Sequence, residues 1–229
     1  MLSRRFYARP TVLVAVDLLG KVLLHRTAQG TAAGRIVETE AYLASDPVSH
    51  STRGKTERTK IIWGKPGFTY VYLNYGMYHC LNIVAEKAEI PGCVLIRALE
   101  PDTTGIPLMQ ERRNTTDLHS LTSGPGKLTQ ALNITTAQNG ADVTQGDLTI
   151  LDGQSDFEVV VTSRIGISKA ERAPLRFFMK DSPFASHTNR CKRFFVGATE
   201  KVKEAFVNGM LESYNMQQPA TKTRYGERK

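Results

Sequence analysis

Short runs of β-branched, aromatic and aliphatic residues, separated by polar or glycine-containing turns, recur along the chain and predict strands more often than helices. The first apolar run, 11–19, predicts a short helix. Pro10 stands where a first turn tolerates proline, and Gly20 can take the C-cap. KVLLH (21–25) and GRIVETEAY (34–42) predict two strands joined through Gln29-Gly30 as a hairpin. Residues 43–65 are polar and carry His50, Arg53, Lys55, Arg58, Lys60 and Lys65, with Ile61-Ile62-Trp63 as an apolar anchor near the far end. A loop of that length in a compact chain is read either as functional or as disordered. After a turn at Pro66-Gly67, TYVYLNYGMYHCLNIV (69–84) is the densest stretch of β-formers, and it divides into strands 69–74 and 77–84 bent at Tyr75-Gly76.

Further along, CVLIRAL (93–99) is apolar enough for a central strand. Helices are predicted at 108–113 and 127–132, and strands at 147–151, 157–162 and 175–179. A terminal helix is predicted over 194–210. Residues 216–229 are polar, basic and without periodicity, as in a disordered tail. Strands adjacent in sequence are joined by short turns. This predicts an α+β fold with a mostly antiparallel sheet in a single domain over 1–215.

Composition narrows the partners. The chain has 229 residues and a net charge of +8, from 30 Lys+Arg against 22 Asp+Glu. That balance points to an anionic partner such as nucleic acid, an acidic membrane or a phosphorylated substrate. Cys80, Cys93 and Cys191 are far apart and form no CxxC pair. A disulfide framework or structural zinc site is therefore not expected, and an intracellular, reducing compartment fits. The five histidines form no HExxH or HxE…CxxC pattern, which argues against a metal hydrolase or a zinc deaminase. The basic start followed by TVLVAV imitates a signal peptide, but Asp17 interrupts it, and no stretch approaches the roughly 18 apolar residues of a membrane span.

Candidate chemistry concentrates in three places. On a strand, Glu38, Glu40 and Tyr42 share one face, an expensive arrangement unless that face is wet or functional. Tyr70, Tyr72, Tyr75 and Tyr78 crowd the predicted hairpin, with Tyr75 near its tip, where a tyrosine is usually exposed. Arg97 is the one charge inside CVLIRAL, so it either pairs with a carboxylate, for which Glu40 is a candidate, or faces a site. Gly124-Pro125-Gly126-Lys127 lacks the first glycine and the hydroxyl residue of a nucleotide-binding loop, though a helix N-terminus with a lysine could hold one backbone phosphate. A carboxylate strand, a tyrosine hairpin and a basic loop are the parts with which an enzyme could neutralise phosphates, open a base stack and act on an extruded base.

GRIVETEAY, KPGFTYVYLNYGMYHCLNIV, CVLIRALEP, SGPGKLTQALNI and RIGI…PLRFFMKDSPFAS occur in that order between about residues 11 and 186. Together they resemble the alkyladenine (3-methyladenine) DNA glycosylase family. The resemblance implies one compact domain with a curved antiparallel sheet, flanking helices and a protruding β-hairpin. It implies a monofunctional glycosylase of base excision repair that acts as a monomer on double-stranded DNA containing alkylated or deaminated purines, without metal or organic cofactor. By that resemblance Glu40 is the general base for the attacking water, Arg97 helps hold the water, and the backbone carbonyl of Ile165 is a third contact to it. Tyr42 and Tyr72 sandwich the flipped base, His50 stands at the pocket's edge, and Asn82 excludes the guanine amino group. Tyr75 inserts into the duplex, and Lys127 contacts a phosphate. Tyr42 and His50 are one residue closer in sequence than in some members, and Asn74 is polar where an aliphatic residue is expected.

This reading makes Glu38 a structural neighbour of Glu40 and makes the strand face a pocket wall, partly wet before a base enters. A cationic or electron-poor purine is expected to stack well between the tyrosines. Two other classes compete: a non-catalytic binder of damaged DNA on the same scaffold, and a free-nucleoside N-glycosidase, which would have no use for a wedge at Tyr75.

Overall fold

In the computed structural model, which describes residues 1–167 and 173–186 and the backbone of 193–198, nine strands join in one sheet. They are β1 (Val22–Thr27), β2 (Gly30–Tyr42), β3 (Thr69–Asn74), β4 (Tyr78–Val84), β5 (Cys93–Pro101), β6 (Leu148–Leu151), β7 (Glu158–Thr162), β8 (Arg176–Met179) and β9 (Arg193–Ala198). Strand order is β3-β4-β5-β2-β8-β7-β9, with β1 pairing both β2 and β6. These pairings are antiparallel. Short helices flank the sheet: α1 (Arg4–Tyr7), α2 (Thr11–Asp17), α3 (Ile106–Arg113), α4 (Leu118–Leu121) and α5 (Pro125–Ala131). The fold is α+β in a single compact domain.

The 13-residue β2 is the axis of the sheet. One edge runs along β5 from Gly34 to Tyr42, while the other is shared, pairing with β1 over Gly30–Arg35 and with β8 over Glu38–Glu40. The alternation of strand side chains then decides what each face meets. Thr39 Oγ1 donates to the Ala15 carbonyl of α2 at 2.8 Å, and Ala41 joins the apolar cluster built from Val12, Val16, Ile96 and Leu99. Glu38, Glu40 and Tyr42 point the other way, as the alternation predicts.

The β2–β5 register shifts between Ile36 and Glu38 and again between Glu38 and Thr39, so Val37 on one strand and Arg97 on the other have no direct opposite. Such irregularities re-aim side chains, and here they bring Arg97 between the two carboxylates of β2.

Most predicted elements are present with shifted ends. α5 starts two residues earlier than expected, and its approach to β4 depends on Gly126, where a Cβ would lie 2.8 Å from Tyr78 Cβ. The helix predicted over 194–210 is corrected at its start. Residues 193–198 are β9, paired with β7. RFFVGA is rich in β-formers, and the open edge of β7 offers it a ladder. The rest of that predicted helix, Cys191 and the tail 216–229 lie outside the described residues. Cys80 and Cys93 are free and buried. Among the described residues no helix is long and apolar enough to cross a membrane, and no three His, Cys, Asp or Glu side chains are grouped to hold a metal ion.

Candidate active site

β2, β3, β4 and β5 contribute the walls of a cavity of about 240 Å³. Its walls include Tyr42, His50, Tyr70, Tyr72, Tyr75, Asn82, Arg97 and Ile165. Eight of the nine residues singled out from the sequence are therefore placed, seven of them directly on this lining and Glu40 beneath it. Lys127 stands apart, half-buried on the first turn of α5, two residues beyond Pro125 at the cavity.

Glu40 is fully buried, which corrects the expectation of a partly wet carboxylate. Its donors, rather than Glu40 itself, form the cavity lining. Oε1 accepts from the Ile165 amide at 2.9 Å and lies 3.2 Å from Arg97 Nη1; Oε2 accepts from the Tyr42 hydroxyl at 2.9 Å. The burial has a physical reason. Flanking strands supply arginines and the loop after β7 supplies an amide, so the face needs no solvent. Two hydrogen bonds and one ion pair leave the carboxylate, with roughly four acceptor directions, room for a further ligand. At Ile165 the recorded contact is its N–H to Glu40. Burial and the neighbouring Glu40 push the Tyr42 hydroxyl well above the ordinary phenol range, so it stays a donor at neutral pH.

Arg97 ties Glu40 to Glu38. Its Nε donates to Glu38 Oε1 at 3.0 Å while its Nη1 meets Glu40. Burial alone would pull the guanidinium down, but Glu40 and Glu38 outweigh that and push it up. Glu38, also fully buried, accepts from Arg176 Nε at 2.6 Å, from the Ser186 amide at 2.7 Å, and from the Ser186 hydroxyl at 2.9 and 2.7 Å on its two oxygens. Two carboxylates thus face two arginines in one buried cluster. Arg176 was legible in principle. It is a lone charge inside LRFFM, the same signal that drew attention to Arg97 inside CVLIRAL.

The aromatic walls are individually pinned. His50 opens a 3₁₀ helix (His50–Arg53); its Nδ1 lies 2.9 Å from the Tyr70 hydroxyl, and its ring centroid is 4.7 Å from that of Tyr72. Burial, with Arg58 and Arg53 nearby, holds the imidazole below its ordinary range, so it is neutral at pH 7. Asn82 Nδ2 donates to the Tyr70 carbonyl at 3.1 Å and Oδ1 takes the Cys93 thiol at 3.9 Å, which fixes the amide against the cavity wall. Burial pushes that thiol up to about 12, so it remains protonated.

Two guanidiniums sit against the walls without lining the cavity: Arg164 is 4.7 Å from the Tyr42 centroid and Arg58 is 5.2 Å from the Tyr72 centroid. Arg164 is bound through both Nη atoms by Asp46, and its Nη1 donates to the Ala41 carbonyl at 3.0 Å. Neither Asp46–Arg164 nor Arg58–Tyr72 has a sequence signal, because both join the 43–65 loop to other elements.

The β3–β4 hairpin extends beyond the cavity. Met77 N–H donates to the Asn74 carbonyl at 3.1 Å, and Tyr75 and Gly76 have φ of +50° and +70°. Two successive positive φ values under an i to i+3 bond are the signature of a type I′ turn, which prefers Asn-Gly. Tyrosine at the first of these positions is strained. It is also 82% exposed, in company with exposed Leu73, Met77 and Tyr78.

Comparison with known proteins agrees with the sequence motifs. The family model "Methylpurine-DNA glycosylase (MPG)" matches residues 5–183. Relatives named "Putative 3-methyladenine DNA glycosylase" include one from Alkaliphilus oremlandii, 50% identical over 199 residues, 81% of this chain and 98% of the relative. Others come from Methanoculleus marisnigri, 48% identical over 190 residues (81% and 98%), and Legionella pneumophila, 45% over 193 residues (82% and 98%). The chain belongs to the methylpurine-DNA glycosylase family, and with it to the hydrolases that act as DNA glycosylases.

Proposed function

We propose that the chain flips a damaged purine out of double-stranded DNA and hydrolyses its N-glycosidic bond with a water activated by Glu40, leaving an abasic site. The observation that carries this reading is the stacking of parts. A cavity walled by Tyr42, His50 and Tyr72 has the Glu40–Arg97–Ile165 cluster at its base and a strained, exposed Tyr75 at its rim. The base enters between the tyrosines, and Tyr75 fills the gap left in the duplex. As the C1′–N bond lengthens, the buried carboxylate stabilises the oxocarbenium-like sugar, and the water on its remaining acceptor direction is aligned for attack. Glu40 has no exposed surface in the free protein, so the water arrives as the walls adjust to the base.

Duplex oligonucleotides carrying hypoxanthine, 1,N6-ethenoadenine or 3-methyladenine test this. Incubation with the protein followed by alkali should give strand breaks at the lesion. Breaks without alkali would indicate a lyase, and none with any lesion at stoichiometric protein would remove the glycosylase reading. The burial of Glu40 favours one rival, a binder without chemistry, which predicts tight binding of the same duplexes and no base release.

The hairpin gives a sharper test. Tyr75→Asn puts a preferred residue on a positive-φ position, so the folded protein is expected to be as stable as the parent or more so, by about 0.5–1 kcal/mol. Excision from duplex should nevertheless fall by about tenfold or more, because unstacking and unpairing, a few kcal/mol, then lack the wedge. Thermal melts and single-turnover rates on a hypoxanthine duplex read the two effects separately. Unchanged excision would mean that Tyr75 is only a turn residue, as a free-nucleoside glycosidase requires.

A further inference from the structure

We propose that Arg58, placed behind Tyr72, biases the base pocket against purine lesions that carry a formal positive charge and toward neutral ones. The inference rests on the glycosylase reading and adds a substrate class to it. The Arg58 guanidinium is 5.2 Å from the Tyr72 centroid, yet it lines a neighbouring groove with Arg53 and not the cavity that Tyr72 walls. Arg58 therefore bears on the Tyr72 ring from outside the cavity that the base would enter.

The charges around the pocket do not cancel there. At the base of the cavity Glu38 and Glu40 offset Arg97 and Arg176, and behind Tyr42 the Arg164 charge is taken by Asp46. In the loop, the ion pairs join Lys55 to Glu89 and Lys60 to Glu57. Among the described residues neither Arg53 nor Arg58 has a carboxylate within ion-pair distance. Burial, then Arg58 and Arg53, hold the His50 imidazole below its ordinary range, and its ring centroid is 4.7 Å from that of Tyr72, so the positive charge acts on this same wall.

Two effects follow for a cationic base such as 3-methyladenine, which carries no guanine amino group. A guanidinium against the ring of Tyr72 draws on the same π density that a cationic base stacked on that ring would use. In addition, a base in contact with the ring, ~3.5–4 Å away, lies within about 9 Å of Arg58, close to the Debye length at physiological salt, so direct repulsion is only partly screened. Neutral hypoxanthine and 1,N6-ethenoadenine escape both. This reverses the expectation, drawn from the tyrosines alone, that a positively charged purine gains most from the sandwich.

The test compares single-turnover excision of hypoxanthine and 3-methyladenine from matched duplexes. The ratio of the two rates should fall about fivefold in Arg58→Gln, the size of an exposed cation–π interaction, and stay near the parent value in Arg58→Lys, which keeps the charge. Taking the ratio cancels any loss of general DNA affinity. An unchanged ratio in Arg58→Gln, or an equal fall in Arg58→Lys, overturns the proposal. If the parent protein excises neither of these lesions nor 1,N6-ethenoadenine, the glycosylase reading fails. Competition between the two duplexes for Glu40→Gln protein, which needs no cleavage, still decides the discrimination, by the same shift when Arg58→Gln is added to it.

Discussion

Glu40→Gln is expected to lower single-turnover excision of hypoxanthine from duplex DNA by about 10²–10⁴-fold, the usual contribution of a positioned general base, while leaving the fold intact. The structure explains why the two effects separate. Glutamine is isosteric, and its one carbonyl oxygen can keep the Ile165 amide bond that Oε1 now makes at 2.9 Å. Its amide group then faces the Tyr42 hydroxyl, which can rotate from donor to acceptor. Arg97 loses one charged partner but keeps Glu38 through Nε at 3.0 Å. One charge-assisted contact is weakened in a cluster that otherwise stays paired, so the stability cost is about 1.5–3 kcal/mol at most. Chemistry has no such redundancy. The amide cannot accept a proton from water, and it no longer opposes the positive charge that builds on the sugar. Single-turnover rates at saturating protein, with lesion-duplex affinity measured alongside, separate the outcomes. Parent-like excision would end the assignment of Glu40 as the base. A parent protein that binds lesions and releases no base would instead support the binder without chemistry.

Much of this was visible in the chain, and particular residues show where visibility stopped. Strand alternation placed Glu38, Glu40 and Tyr42 on one face, and the hydrogen bond from Tyr42 to Glu40 is that alternation made concrete. The Arg97–Glu40 pair followed from the rarity of a lone arginine in an apolar strand. The Tyr75-Gly76 turn was legible, but its strain was not, because the sign of φ at Tyr75 is a property of hairpin closure. What sequence reasoning could not reach were contacts set by long-range packing. Asp46 and Arg164, and Glu38 and Ser186, come together only once the sheet has closed. The same holds for the burial of Glu40. A carboxylate strand reads as wet until the arginines that replace the water are placed in space. At 193–198 a local preference met an open strand edge, and pairing with β7 prevailed over a helix.

Glu38→Ala is expected to have the largest effect on stability, about 3–5 kcal/mol, the cost of removing one partner from a buried ion-pair cluster. Against a typical total of ~5–15 kcal/mol, that loss leaves the domain marginal. With ~2–4 °C per kcal/mol for a chain of this size, the melting temperature should fall by about 10 °C. The reason is the number of groups that depend on this one carboxylate. Arg176 is fully buried and donates Nε to it at 2.6 Å; Arg97 donates Nε at 3.0 Å; Ser186 donates both its amide and its hydroxyl. Alanine would leave these donors facing a cavity with no acceptor, beside a guanidinium that has lost half its compensation. Catalysis should suffer with it, since Arg97 is held against Glu40 from the Glu38 side, so Glu38 acts as a positioning residue. Glu38→Gln, which keeps the shape and one acceptor oxygen, should recover a good part of the stability. A cycle of Glu38→Gln with Ser186→Ala separates this cluster from general packing. Residues that share a buried bond should couple by about 0.5–3 kcal/mol, measured as denaturant midpoints converted to free energy. Additive effects in that cycle, or a Glu38→Ala protein within about 1 kcal/mol of the parent, the ordinary scale of single substitutions, would mean that Glu38 does not hold the site together.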